Sequence, residues 1–270
     1  MKKLLLGISM VTTLFVISAC GLGDGDTLRV GMDLSYPPFE TEEGGQPEGI
    51  SVDVAEEFGD YLGRDVEIVD TGFGQLISSL NSGEIDIVIA SMSITEERAQ
   101  SVDFSDPYFY FKIISLLNQD FADAHSITED STTDDLLAID EAKFVGIADQ
   151  VSYQIPLEMG LDTVEATDLS TAVYEVVQGN RDILMMSAFP VVNNHKSNED
   201  ETMVVWDPFM VSPIGMAVRQ GDDELLSEAN AFIAQMDEEG GVYDRLRDDW
   251  DDEIESRLDR YGLDFFIYED

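Results

Sequence analysis

The sequence predicts an α/β protein of two similar lobes, joined by two chain crossings and enclosing a cleft. Three observations predict it. Strand-type runs alternate with amphipathic helices early in the chain, a helix–glycine–strand phrase returns about a hundred residues later, and two extended stretches are placed to carry the chain out and back. With 270 residues the chain is long enough for both lobes to bury a core of their own.

In order, Leu28-Arg29-Val30-Gly31-Met32 alternates as a strand and empties into a loop containing Tyr36-Pro37-Pro38-Phe39. Ser51 is expected to cap a helix that carries Val52, Ala55, Phe58 and Leu62 at helical spacing and stops at Gly63. Val66 to Val69 reads as a second strand, Phe73 to Ser82 as a short helix closed by Gly83, and Ile85 to Ile89 as a buried strand. The echo follows: Leu169 to Gln178 is a helix closed by Gly179, and Arg181 to Met185 is the strand after it, so that Asp86 and Asp182 occupy matching positions. Upstream of the echo, Phe144 to Ala148 is a strand, and Ser152 is expected to cap a helix reaching Met159. The outward crossing is placed at Tyr108 to Lys112, and the return at Pro213 to Ala217. Helices Glu224 to Met236 and Val242 to Trp250 are expected to pack back on the first lobe. Two crossings confine relative motion to a hinge bend and make the cleft the default ligand site.

Composition narrows the partners. There are 57 acidic residues against 14 Lys plus Arg, a formal charge of −43, and such a field repels nucleic-acid backbones and anionic lipid surfaces. A hydrophobic fraction of 44% with 14 Phe, 9 Tyr and 2 Trp supplies the core material that a disordered acidic tail lacks. The excess of carboxylates fits a protein adapted to a saline medium, where counterions screen self-repulsion; an acidic protein indifferent to salt is the alternative. At the start of the chain, Lys2 and Lys3 precede the apolar run Leu4 to Ser18, which ends in Ile17-Ser18-Ala19-Cys20-Gly21. This resembles a lipoprotein signal, with residues 1–19 removed, Cys20 lipidated by palmitate-type acylation, and residues 20–26 forming a tether; an ordinary secretory peptide or membrane helix with an incidental cysteine is the alternative. Cys20 is the only cysteine, so no intrachain disulfide is available and stability must come from the core. The anchor would hold a monomeric body outside the membrane, in contact with the bilayer through its lipid alone.

Catalytic raw material is scarce. His125 and His195 are the two histidines and lie in polar contexts, and no HExxH, GxSxG, GxxxxGK[ST] or GxGxxG motif occurs. No catalytic residue, metal site or cofactor is expected. The informative run is Ser91-Met92-Ser93-Ile94-Thr95-Glu96-Glu97-Arg98, which follows the strand ending at Ala90 and so falls at a carboxyl end of the sheet, where open α/β folds bind ligands. A guanidinium there offers a bidentate fork for a carboxylate; a surface salt bridge from Arg98 to Glu96 or Asp103 is the competing reading.

Taken together, Tyr36-Pro37-Pro38-Phe39, Gly49-Ile50-Ser51-Val52-Asp53, Asn81-Ser82-Gly83-Glu84-Ile85-Asp86, Ser91 to Arg98 and Val102-Asp103-Phe104-Ser105-Asp106-Pro107-Tyr108 resemble the family 3 extracellular solute-binding proteins, the polar amino-acid receptors of ABC importers. The resemblance spans nearly all of residues 28–250. It implies a periplasmic-binding-protein-like fold of type II, with a first lobe from residues 27–108 and 213–250, a second from 109–212, and two crossover hinge strands. Residues 251–270, an acidic extension, lie outside the resemblance; Ile254, Leu258 and Tyr261 are spaced for a short amphipathic helix, with a partner-docking and a capping role both open. The resemblance also implies that Arg98 grips a ligand carboxylate beside Ser91 and Ser93, that Tyr36 and Phe73 are cleft aromatics, and that Asp33 reads the polar end of the solute. In the second lobe Gln150-Val151-Ser152 stands where Gly-Thr is common, leaving Ser152 as the available hydroxyl, and Ser187 stands where the acid for an α-ammonium is usual. The ligand is therefore expected either to rely on Asp33 for countercharge or to lack a primary α-ammonium, as a cyclic compatible solute does. The implied partners are the small carboxylated solute and a permease with a cytoplasmic ATPase. A dehydratase acting on cyclic carboxylates on the same fold, or a sensing module for a separate signalling protein, are the alternatives to a transport receptor.

Overall fold

The computed structural model describes residues 27–258 and 261–269. The signal, Cys20 and the tether lie outside the described residues. Two five-stranded sheets carry the fold, in the orders β5-β1-β6-β13-β7 and β10-β9-β11-β8-β12, with a small antiparallel sheet β2-β3-β4 beside the first.

The first sheet is built from β1 (Thr27–Met32), β5 (Asp65–Asp70), β6 (Ile87–Val88), β7 (Val102–Phe104) and β13 (Ala217–Arg219). β1 runs parallel to both β5 and β6, while β13 pairs antiparallel with β6 and β7. The small sheet comprises β2 (Ser35–Tyr36), β3 (Glu40–Glu43) and β4 (Gln46–Glu48). Helices α1 (Ile50–Leu62) and α2 (Leu76–Ser82) are the crossovers. The second sheet takes β8 (Phe109–Asn118), β9 (Lys143–Ile147), β10 (Asp162–Ala166), β11 (Ile183–Ser187) and β12 (Thr202–Ile214), with α3 (Gln119–His125), α4 (Thr133–Leu137), α5 (Val151–Glu158), α6 (Leu169–Val177) and α7 (Ala188–Lys196) between them. The chain closes with α8 (Asp223–Ile233), α9 (Val242–Leu258) and α10 (Asp264–Ile267).

The internal echo has a physical basis. Gly83 and Gly179 both end their helices in left-handed backbone, φ 82° and 67°. Each is followed by an aspartate that latches the parallel neighbouring strand of its own sheet: Asp86 Oδ2 accepts from Arg29 N at 3.1 Å, and Asp182 Oδ2 from Lys143 N at 2.8 Å. The latch is reciprocal, since the amides of Asp86 and Asp182 donate to the carbonyls of Arg29 and Lys143.

The crossings are the near ends of β8 and β12, two long strands paired antiparallel from Phe109 opposite Ile214 to Asn118 opposite Thr202, with a register shift between Val205 and Met210. They are tied to the first lobe by Tyr108 N donating to Ile214 O and by Ile94 N donating to Pro213 O. Such a ribbon can bend but resists sliding, because sliding would break its ladder and turn every side chain to the other face.

Two expected helix caps are corrected. The residue before α1 is Gly49, at φ 132°, and Ser51 lies inside the helix with its side chain buried. Only glycine fits there, because a Cβ at Gly49 would stand 2.3 Å from Phe39 O. In α5 the capping position is Gln150, and Ser152 Oγ instead accepts from Ile147 N at 3.0 Å, closing the turn between β9 and the helix. A third correction concerns length: the helix expected to stop at Trp250 continues to Leu258, burying Ile254 and Leu258 on the core side.

Candidate functional site

The carboxyl ends of β1, β6, β9 and β11 meet across the cleft, and the residues that follow those strands line a cavity of about 110 Å³. All eight residues singled out from the sequence line it: Asp33, Tyr36, Phe73, Ser91, Ser93, Arg98, Ser152 and Ser187. Glu40, Phe111 and Ile113 are further lining residues.

Arg98 opens a single 3-10 turn, Arg98–Gln100, and its amide donates to Thr95 Oγ1 at 3.2 Å. Arg98 is 8% exposed as a residue, and its guanidinium points into the cavity wall. It donates to two backbone carbonyls, Ser93 O at 3.0 Å and Asp149 O at 2.8 Å, and stands 5.1 Å from the centre of the Phe73 ring. Among the described residues it forms no ion pair, so the competing salt bridge to Glu96 or Asp103 is not made. Burial pulls its pKa down, and the nearby Glu97 and Asp149 oppose that shift. A buried cation held by neutral carbonyls keeps its charge available to an incoming anion.

The cavity closes across the lobes. Tyr36 Oη and Ser187 Oγ share a hydrogen bond between the first lobe and the second, and Gln154 Nε2 donates to Glu97 Oε2 at 3.0 Å. With the Arg98 contact to Asp149, these bonds hold the closed arrangement. Ser91, after β6, and Asp149, after β9, are both non-glycine residues with positive φ, 50° and 60°. That backbone is costly for ordinary residues and collects at ligand-binding turns.

Asp33 is oriented by Ser35 Oγ and by Phe73 N, which donates to Asp33 Oδ2 at 2.8 Å. Ser93 Oγ receives the hydroxyl of Ser212 at 2.8 Å, tying the site to the returning crossing. Ser152 spends an acceptor lone pair on Ile147 N and retains its proton for donation.

One charged lining residue was not picked from the sequence. Glu40, the first residue of β3, is 1% exposed, and its carboxyl oxygens accept from Ser91 Oγ at 2.7 and 3.1 Å. Burial pushes its pKa up to about 8, against the lowering effect of Ser51 and Ser91 and with a smaller push from Asp33. Its position directly after the apolar Pro37-Pro38-Phe39 is the only sequence hint.

Neither histidine lines the cavity. His125 packs on Phe121 and His195 Nδ1 bonds Thr202 Oγ1 at 3.0 Å. Among the described residues no cluster of His, Cys, Asp or Glu is arranged to hold a metal ion, and no helix is long and apolar enough to cross a membrane.

The family model of bacterial extracellular solute-binding proteins, family 3, matches residues 28–253. The chain belongs to this family. Similar members include the L-cystine-binding protein TcyJ of Escherichia coli, 29% identical over 79% of this chain and 79% of the relative, and the arginine-binding extracellular protein ArtP of Bacillus subtilis, 27% identical over 93% and 98%. Among solved structures, an ancestral arginine-binding protein bound to arginine superposes with a TM-score of 0.66 at 31% identity, covering 83% of this chain and 98% of the other. An ancestral amino-acid-binding protein described as a precursor of cyclohexadienyl dehydratase gives 0.66 at 30%, covering 83% and 95%. The fold is thus the two-sheet, periplasmic-binding-protein-like α/β fold, and the chain is a non-catalytic solute-binding receptor of the ABC-transporter type, a family that works outside the cytoplasm.

Proposed function

We propose that this family member captures one small carboxylated polar solute, an amino acid or a close analogue, between a first lobe of residues 27–108 and 213–250 and a second of 109–212, and presents the closed complex to a membrane permease. The observation that carries the reading is Arg98: a buried guanidinium without an ion pair among the described residues, facing a cavity at the carboxyl ends of four strands. In this reading the solute's carboxylate takes the Arg98 fork, Ser93 supports it from the first lobe and Ser152 from the second, and Tyr36 and Phe73 flank the body of the solute. Asp33 lies at its polar end. The body is monomeric and anchored to the outside of the membrane by a lipid on Cys20.

Native mass spectrometry of the purified protein, followed by a thermal-shift screen across the amino acids and zwitterionic osmolytes, tests this. A carboxylated zwitterion should raise the melting temperature in a saturable way, because a ligand that binds only the folded state stabilises it by mass action. With uncharged sugars included as controls, stabilisation by a sugar and by no carboxylate would contradict the proposal.

A further inference from the structure

The first lobe of the cavity holds a buried acid whose position suits a task that the second lobe leaves undone. Ser187, at the end of β11, offers a hydroxyl where an acid would meet an ammonium, and that hydroxyl is engaged by Tyr36. Asp33 is partly engaged as well, by Ser35 and by the amide of Phe73. Glu40 differs from both. Its carboxyl group lines the cavity and accepts from the Ser91 hydroxyl, with the Ser51 hydroxyl also acting to favour its charged form. It forms no ion pair among the described residues. The other hydroxyls acting on this pocket are those of Ser51, from α1, and Tyr108, at the entry to β8, and both are buried. The ionisable groups that act on it are Asp33, after β1, together with the Tyr36 and Tyr108 hydroxyls from β2 and the entry to β8. Nothing in this set supplies positive charge.

A carboxylate in such surroundings is expensive without a cation, and a protonated carboxyl is not. Arrival of an ammonium reverses the preference, because the pair is then charge-balanced inside a closed, low-dielectric cavity. Accepting the proposed capture of a carboxylated solute, we propose that Glu40 receives the ammonium of an ordinary α-amino acid in place of a second-lobe acid, its proton passing to solvent as the ammonium arrives. The solute is then held at two charges from one lobe, its carboxylate on Arg98 and its ammonium on Glu40, with Ser91 bonded to the acid and Ser93 to the guanidinium. The second lobe contributes closure through Ser187, Gln154 and the Asp149 carbonyl and needs no charge of its own. The ligand class becomes α-amino acids, and a solute lacking an acidic-proton-displacing ammonium, such as a quaternary betaine, is disfavoured.

The burial that lifts the Glu40 pKa to about 8 supports the exchange at neutral pH, because the free receptor then carries the proton. The test is calorimetric titration of the full-length protein without its signal, at pH 7, with L-arginine, L-lysine, L-histidine, L-glutamine and L-cystine, each in phosphate and in Tris. Those buffers differ in ionisation enthalpy, so the difference in observed heat counts protons. At least one of these amino acids should bind with release of about one proton, and Glu40→Gln should weaken it roughly tenfold or more and abolish the buffer dependence. Circular dichroism and melting of Glu40→Gln are expected to match the wild type or exceed it, since glutamine resembles the protonated acid in size and charge. Full affinity in Glu40→Gln overturns the assignment of the ammonium to Glu40, and heats that are equal in the two buffers overturn the proton exchange; in both cases amino-acid capture itself stands. Binding of none of the five overturns the capture of amino acids and the role of Glu40 together.

Discussion

At the scale of single residues, the site divides into charges that are available and charges that are spent. Arg29, for comparison, is fully engaged: its guanidinium meets both oxygens of Asp86 and two carbonyls of the turn before β6. Arg98 meets carbonyls alone. Glu40 carries a prediction of its own about stability. Its folded-state pKa of about 8 stands above its ordinary value of 4.5, so between those values the folded protein holds a proton that the unfolded chain has released. Stability from this group is complete below about pH 4.5 and is lost as the pH rises through 8. Glu40→Gln removes the dependence. The melting temperature of the wild type should therefore fall relative to the variant across that window, and parallel curves would show that Glu40 titrates in the folded protein as it does in the unfolded chain. Arg98 and its serines were legible in the sequence because they follow a recognisable buried strand and because basic residues are few. Glu40 was not, since one acid among 57 carries no signal until tertiary packing buries it.

At the scale of elements, the helix–glycine–strand echo was legible because its determinants are local: an amphipathic period, a glycine able to take positive φ, and an aspartate placed to latch the neighbouring strand. The caps at Ser51 and Ser152 were misplaced because a serine's preference for helix starts does not say which residue turns the chain; at α1 the close approach of Gly49 to Phe39 decides it. At the far end of the chain the helical spacing of Ile254 and Leu258 was legible but the role was not, since that role is long-range packing. Phe266 in α10 is fully buried and touches Phe39 beside the cavity, Phe111 on the outward crossing and Phe189 in α7, with ring centres 5.2–5.4 Å apart. Lys112 Nζ donates to Tyr268 O and lies over the Phe265 ring, while Lys196 Nζ donates to Ser256 O and Arg257 O at the end of α9. The terminal elements thus hold both lobes at the hinge. Phe266→Ala should cost about 3–5 kcal/mol, as deletion of a buried aromatic ring does, read as a lower urea midpoint at unchanged slope. A loss of under about 1 kcal/mol would place α10 outside the cooperative core.

At the scale of the whole molecule, charge and closure dominate. A formal charge of −43 on 270 residues makes self-repulsion a property of the compact state as a whole, and counterions relieve it within a few ångströms at molar salt. The melting temperature should rise steeply between low and molar sodium chloride, and a flat series would count against saline adaptation. The same field repels free anions at a distance, so a solute that carries a cationic group beside its carboxylate approaches the cleft at less electrostatic cost. The central claim is that closure is organised around a solute carboxylate on Arg98. Its most direct test is calorimetric titration of the solute identified by the thermal-shift screen into the wild type and into Arg98→Ala. Truncating a buried, hydrogen-bonded charge partner predicts a loss of about 2–5 kcal/mol, at least tenfold in affinity, with the circular dichroism spectrum unchanged; equal affinity in a natively folded Arg98→Ala would contradict the claim.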